Sequence, residues 1–401
     1  MVVLLLCIQG VAADLHAQVS SDAARGPSVN VRVYPFDVWG PVAGWGGGLG
    51  LVVHDGLRAG DQTLLTLAPA VHESVTTLSY ASASPVEATT YVLTDVRARR
   101  TGRQWTYGVG PASSDDSRLG VEMDDAWLRL RLGHWRFDRR VLIQPEVRLR
   151  RHVVHGTYVD RSPVRPEQTA ALPGLNDPAF DGDQWGVQAG VNAAFDTRDR
   201  HRGATRGVLV QASWMRYAEL SSGDVQIDRL TAGAYGYVPL SGSHHVALRL
   251  QAAVSTDRGD HPAPFYLLPK LDGRLVPGWA PERFFGADRL IGSILYRFPL
   301  VRLRDLFGLD GHLGVHAASV YNDLGEQFAL DVSFDETVAA DGSVPLRPAA
   351  SVGVRLDPLF RDETYFDLAL GLSPEGVTGV RLQFTRTLDS VRPPHHNGAT
   401  W

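Results

Sequence analysis

From residue 29 to 388, apolar residues alternate with polar or charged ones over segments of about ten residues, the pattern of membrane strands and not of a helix. In WLRLRLGHW, Leu128, Leu130 and Leu132 share one face and Arg129 and Arg131 the other. In HVALRLQ, Val246, Leu248 and Leu250 oppose Arg249 and Gln251. In YFDLALGL, Phe366, Leu368, Leu370 and Leu372 oppose Tyr365, Asp367, Ala369 and Gly371, and in VRLQFT, Val380, Leu382 and Phe384 oppose Arg381, Gln383 and Thr385. The periodicity predicts strands at 29–36, 45–56, 62–73, 75–83, 88–100, 125–137, 141–153, 184–196, 206–218, 226–239, 244–255, 290–299, 309–322, 347–358, 363–373 and 377–388.

Alternation alone fits a soluble sandwich too, with the leucines inside and the arginines in water. The spacing of the segments separates the two. Long connections at 101–124, 154–183, 256–289 and 323–346 are all odd-numbered, whereas those at 138–140, 197–205, 240–243 and 359–362 are short. Long loops on one side and short turns on the other are what a transmembrane β-barrel requires, and about sixteen is an even number of the kind such barrels use. The fold expected is therefore all-β, an antiparallel transmembrane barrel of about sixteen strands. Region 57–90 also admits one hairpin fewer, and Pro145 demands a bulge or an unbonded position inside its strand.

Composition narrows the classes. A single cysteine, Cys7, leaves no disulfide scaffold and no zinc or iron–sulfur cluster, and a net charge of -5 gives no basic footprint for nucleic acid. Residues 1–17 read as a signal peptide with cleavage near Ala13 or Ala17, although no Lys or Arg precedes the apolar run. Residues 18–28 then form a short periplasmic leader, 29–388 the barrel, and 389–401 a polar tail expected to be disordered, whose two consecutive prolines cannot extend the sheet. No later stretch approaches the ~18 apolar residues of a membrane helix, so a membrane location requires a closed barrel. That location is the bacterial outer membrane.

Several stretches resemble, in order, the bacterial surface antigen family of BamA/TamA-type outer-membrane barrels. FDTRDRHRGATRGVLVQASW is similar to its strand–turn–strand motif, here Asp196, Arg198, Asp199, Arg206 and Gly207. LDGRLVPGWAPERFFGADRLIGSILYRFPL, from Leu271 to Leu300, resembles its long sixth extracellular loop and the strand after it, and YGVG at Tyr107 to Gly110 resembles a further loop motif. The resemblance covers most of residues 105–388 and implies a sixth loop folded into the lumen. In the family an arginine of that loop pairs with an aspartate on a strand. Here the loop carries Gly273, Arg274, Pro277, Gly278 and Trp279, with Pro277 in the arginine's place; on the partner strand His316 replaces the aspartate and Ala318 a glycine. Losing one member alone would strand a buried charge at a cost of about 3–5 kcal/mol, whereas losing both removes that penalty. The loop must then be held differently, by Trp279 packing or by Arg274 finding another acid.

Candidates for chemistry are weak. His244–His245 and His395–His396 are adjacent pairs, while ligands sharing a strand face need i, i+2 spacing. His152 and His155 flank a loop edge without an obvious carboxylate cluster, and no Ser–His pair stands out. GWGGGLG lacks the strand–helix context of a dinucleotide site and marks a crowded first hairpin. The expectation is no enzyme, no cofactor and no metal. The charges of the turn motif read as turn structure in water rather than as a site. Arg129, Arg131, Arg148, Arg150, Arg249 and Arg381, with Glu146 and Asp367, face inward in a barrel, lining a lumen that is water-filled or loop-plugged, or else a selectivity filter.

Two functions follow. The resemblance implies outer-membrane protein assembly or translocation, with outer-membrane lipid, unfolded clients or a periplasmic partner in trans. Against it, Pro277, His316 and the short stretch before the first strand, too short for a POTRA domain, suit a structural or pore-forming barrel without insertase activity.

Overall fold

The computed structural model describes residues 30–40, 44–85, 87–113, 118–159, 162–163, 182–201, 203–271, 273, 275–280, 282–303, 307–334, 338–358 and 365–385. The expected signal peptide, leader and tail lie outside them, as do Arg274 and the last three residues of the final expected strand.

Each periodic segment coincides with one long strand: β1 (Asn30–Gly40), β2 (Gly44–His54), β3 (Gln62–Pro69), β4 (Glu73–Ala81), β5 (Thr90–Thr106), β6 (Leu119–Arg136), β7 (Val141–Val159) and β8 (Gly182–Asp196). The second half continues with β9 (Gly207–Glu219), β10 (Gln226–Pro239), β11 (His245–Asp257), β12 (Asp288–Leu303), β13 (Phe307–Tyr321), β14 (Val344–Pro358), β15 (Tyr365–Ser373) and β16 (Gly376–Thr385). Every strand pairs antiparallel with its chain neighbours, and two short segments, Ser162–Pro163 and Phe328–Val332, bring the sheet to 18 strands.

The two faces of this sheet settle the sandwich alternative. Leu130 is 52% exposed and Leu250 56%, while Arg131 is 0% and Arg249 3% exposed. The leucine stripes are therefore outside and the arginines inside, the reverse of a water-soluble sandwich. Leu128, Leu132, Leu248, Leu370 and Leu372 repeat the outward position, and Arg129, Glu146, Arg148 and Gln251 the buried one.

One sequence expectation changes in detail. The long gap at 101–124 shrinks, because β5 runs on to Thr106 and β6 begins at Leu119, with a register shift between Thr101 and Gln104 that absorbs the irregularity. Residues 57–90 form the separate strands β3 and β4, not one hairpin fewer. Pro145 pairs with Val191 of β8, while the β6–β7 ladder is interrupted between its Arg131–Glu146 and His134–Ile143 pairs. Proline has no N–H to donate, so the strand continues by leaving that side unbonded. The glycines of GWGGGLG lie in β2, and Gly46 is packed so closely on Pro69 and Ala70 that a side chain there has no room.

Candidate functional site

The loop-motif and partner-strand residues that the sequence singles out come together around the segment between β11 and β12. It is held chiefly by strand arginines donating to loop carbonyls. Arg249 of β11 donates to the Leu275 carbonyl at 2.7 Å, Arg289 of β12 to that of Lys270 at 2.6 Å, and Arg229 of β10 to that of Leu267. A charged donor to a buried carbonyl contributes about 1.5–3 kcal/mol, and it satisfies backbone that would otherwise be orphaned. Arg283, from the segment itself, reaches Glu375 at 2.7 Å in the β15–β16 turn.

His316 occupies a row that crosses three strands. The β11–β12 and β12–β13 registers place Arg249 opposite Ser293, and Ser293 opposite His316. The His316 Nδ1 lies 2.9 Å from the Ser293 hydroxyl and Nε2 3.0 Å from that of Ser351, while the Arg249 guanidinium donates to Ser293 at 3.0 Å. β13 thus presents an imidazole between hydroxyls of β12 and β14, and the cation that touches the loop comes from the strand side.

Apolar packing completes the anchor. Trp279 is 2% exposed, with its ring 5.2 Å from Phe284, in a cluster with Leu271, Leu275, Val276, Ile291, Ala318 and Val320. Burying a side chain of this size contributes roughly 1.5–3 kcal/mol. Gly273 lies against the Trp279 carbonyl, and Pro277 and Gly278 lie against Gly371 of β15. YGVG joins the same assembly. Gly110 donates to the Phe285 carbonyl at 2.7 Å, and the Arg283 guanidinium sits 4.8 Å from the Tyr107 ring centre.

The turn motif lies elsewhere, between β8 and β9, and is less exposed than the sequence suggests. Asp196 accepts from Arg198 at 2.9 and 2.8 Å, and both side chains are almost fully buried, where the sequence reading leaves them in water. The turn folds back onto the core: Ala204 packs in a cluster with Trp135, Tyr235 and Tyr237. Asp199 accepts from the Thr205 amide and hydroxyl at 3.0 and 2.7 Å and from the Arg206 amide at 3.3 Å. Partial burial raises the Asp199 pKa, but these hydrogen bonds outweigh it and hold the carboxyl below its ordinary value. Gly207 has φ +100, and a side chain there would strike the Thr197 carbonyl, which accounts for glycine at this position.

Of the inward charges, Arg129 and Arg131 both donate to Asp95 of β5, at 2.9 and 2.8 Å, and Arg148 pairs with Glu146 at 2.7 Å. Arg150 meets Asp125 at 3.1 Å. The side chains of Asp367 and Arg381 lie outside the described set; their strands place Asp367 opposite Arg355, and Arg381 opposite Ala369. The sequence reading passes over Asp95 and Asp125, although the same alternation puts Asp95 on the face of Leu93 and opposite Arg129. It also sets His152 apart from carboxylates, yet its Nδ1 lies 3.2 Å from Asp125 and its ring 4.5 Å from that of Tyr266. Among the described residues no group of three or more His, Cys, Asp or Glu is placed to hold a metal.

No family model matches the chain, and no curated protein does. Solved structures do. BamA from Haemophilus ducreyi lacking POTRA domains 1-3 superposes with a TM-score of 0.56 at 14% identity, over 89% of this chain and 68% of that one. This chain has the fold of the BamA and CdiB barrels. CdiB from Escherichia coli matches with a TM-score of 0.53 at 12% identity over 91% of this chain, and CdiB from Acinetobacter baumannii with 0.51 at 10% over 89%. The chain spans 62% and 58% of the length of those two CdiB chains. Within this BamA-type fold the pins from Arg229, Arg249 and Arg289 join the Trp279 cluster and the Arg283–Glu375 pair in attaching the β11–β12 segment to the sheet.

Replacing Arg249 with leucine removes the Leu275 pin and the Ser293 contact together. Hydrogen exchange at amides 275–279 will rise, with little change in β6 and β7; equal protection in variant and parent would refute the pinning role.

Proposed function

We propose that the chain is an integral bacterial outer-membrane β-barrel that assists the assembly or translocation of other outer-membrane proteins through a seam between β1 and β16. The edges of the sheet carry this reading. β1 and β16 approach within 8 Å at their Cα atoms, yet among the described residues no ladder joins them, while every other pair of consecutive long strands is laddered. Closure there makes a barrel, and a closure without a ladder makes its weakest line. An edge with unpaired N–H and C=O groups is a template on which an incoming strand can pair.

The outward leucines support lipid as the surrounding solvent. Each would forfeit roughly 1.5–3 kcal/mol of burial if left in water. In lipid a sheet has no tolerated free edge, so closure and membrane location support one another. Residues 264–287 then fill the lumen as the sixth extracellular loop, held by Gly273, Pro277, Gly278 and Trp279 against the strands that bear His316 and Ala318. Partners on this reading are outer-membrane lipid and unfolded client strands, or a periplasmic partner supplied in trans, and the role is not enzymatic.

A pore-forming or structural barrel without insertase activity is the second reading. The replacement of the loop–strand charge pair by Pro277 and His316 favours it. Depletion followed by quantitative proteomics of the outer membrane separates the two. Assembly or translocation predicts a several-fold fall in other barrels; unchanged levels together with conductance in planar bilayers would overturn it in favour of the pore.

A further inference from the structure

Beneath residues 266–270 lies a cavity of about 190 Å³. Six guanidinium groups line it, those of Arg97, Arg99, Arg148, Arg150, Arg229 and Arg289, and Lys270 lines it from the loop side. The carboxylate on its wall is Asp125. Behind the wall stand Glu73, 2.7 Å from Arg99, Glu146, 2.7 Å from Arg148, and Glu282, 3.0 Å from Lys270. Asp257 attracts Arg229, but Arg150, Arg289 and Arg148 all repel it. These described residues make seven cations against five carboxylates, so the balance around the cavity is cationic.

Two of these groups also point to a missing acceptor. Arg148 Nε is buried with no hydrogen-bond partner, and Arg99 Nη2, likewise without one, has only the Glu282 carboxylate at 4.0 Å. A buried charged donor left unsatisfied costs more than about 1–3 kcal/mol, and like charges gathered in a low-dielectric wall add to that. A water takes about 30 Å³ of liquid, so the cavity has room for a small anion with some of its hydration. Guanidinium groups match the paired oxygens of a tetrahedral oxyanion better than they match a monatomic ion.

We propose that this cavity is a binding site for a phosphate-type oxyanion, shared among the guanidinium groups of β5, β7, β10 and β12 and covered by Lys270. It lies apart from the β1–β16 seam, and its occupancy does not depend on whether that seam opens.

The test is calorimetric titration of the folded full-length chain in detergent with inorganic phosphate, against sodium chloride at matched ionic strength. Saturable binding to one site is expected for phosphate and not for chloride. Arg229→Gln and, separately, Lys270→Met should each weaken it at least tenfold, while Arg200→Gln, in the exposed β8–β9 turn, should leave it unchanged. Short-chain phosphatidic acid as a competitor distinguishes the source of the group: displacement of phosphate at equal affinity assigns it to a lipid headgroup, and failure to displace assigns it to a free anion, both on the same site. Heat no greater than that of chloride with the parent chain would overturn the proposal without any variant. So would parental affinity in both substituted chains.

Discussion

Gly371→Val will expel the tip of the β11–β12 segment while leaving the sheet folded. Gly371 of β15 faces the segment Pro277–Gly278, and a Cβ placed on it would overlap the Gly278 amide nitrogen and the Pro277 carbonyl carbon. The approach is equally close from the other side, where a Cβ on Gly278 would sit 2.6 Å from the Leu372 carbonyl oxygen. Both partners are backbone, so no flexible side chain can swing away. Overpacking typically costs 1–3 kcal/mol when the surroundings give way, and here the yielding element is the loop, because β15 is laddered on both sides. Gly278 also sits at φ +111, a conformation nearly confined to glycine, so the tip has no strain-free alternative while it stays in place. Trp279, now 2% exposed, will leave its cluster and become a chymotrypsin site. Cleavage after Trp279 should accelerate at least tenfold in Gly371→Val and remain at the parental rate in Gly156→Ala, where a Cβ has nothing within 4 Å. Parental cleavage in the valine variant would show that the contact does not hold the loop.

How much of this was legible beforehand follows from which interactions are periodic. Alternation is a local property, so Leu128, Arg129, Leu130 and Arg131 announce both faces of β6 without knowledge of any partner. Whether the arginine face lies in water or inside is not written in the period, and the parity of connection lengths carried that distinction. Trp279 packing was within reach of the sequence, but the polar loop contacts were not, for a different reason. Arg249, Arg289 and Arg229 bind backbone carbonyls, and a carbonyl has no residue identity by which a sequence could reveal it. The sequence reading looks to Trp279 packing or to another acid for Arg274, whereas a cation that pins the loop stands on β11, two strands from His316. The burial of Asp196 and Arg198 was hidden in the same way, since a turn reads as solvent-exposed until the tertiary fold tucks Ala204 against Trp135.

Asp95→Ala will be the most destabilising removal of a charge within the sheet. Asp95 is 5% exposed and accepts from Arg129 Nε at 3.0 Å, from Arg129 Nη2 at 2.9 Å and from Arg131 Nη2 at 2.8 Å. One carboxylate thus compensates two guanidinium groups on adjacent inward positions of β6, and alanine leaves both buried without it. Breaking such a pair costs about 3–5 kcal/mol, far above the ~0–1 kcal/mol of an exposed one. Arg129 has partial relief, with its guanidinium 4.8 Å from the Trp127 ring centre, which offsets roughly 0.5–2 kcal/mol. Arg131 is wholly buried, so the larger share of the penalty falls there. The comparison is Asp183→Ala, whose partner Arg151 and own side chain are both more than two-fifths exposed. Denaturant unfolding in detergent should place the Asp95 variant well below the parent and the Asp183 variant within error of it. Adding Arg131→Leu to Asp95→Ala should recover much of the loss, because the buried guanidinium deprived of this carboxylate is the source of the cost. If the double variant unfolds no later than the single one, the cost lies in lost packing around Asp95 and the electrostatic account of the lumen fails.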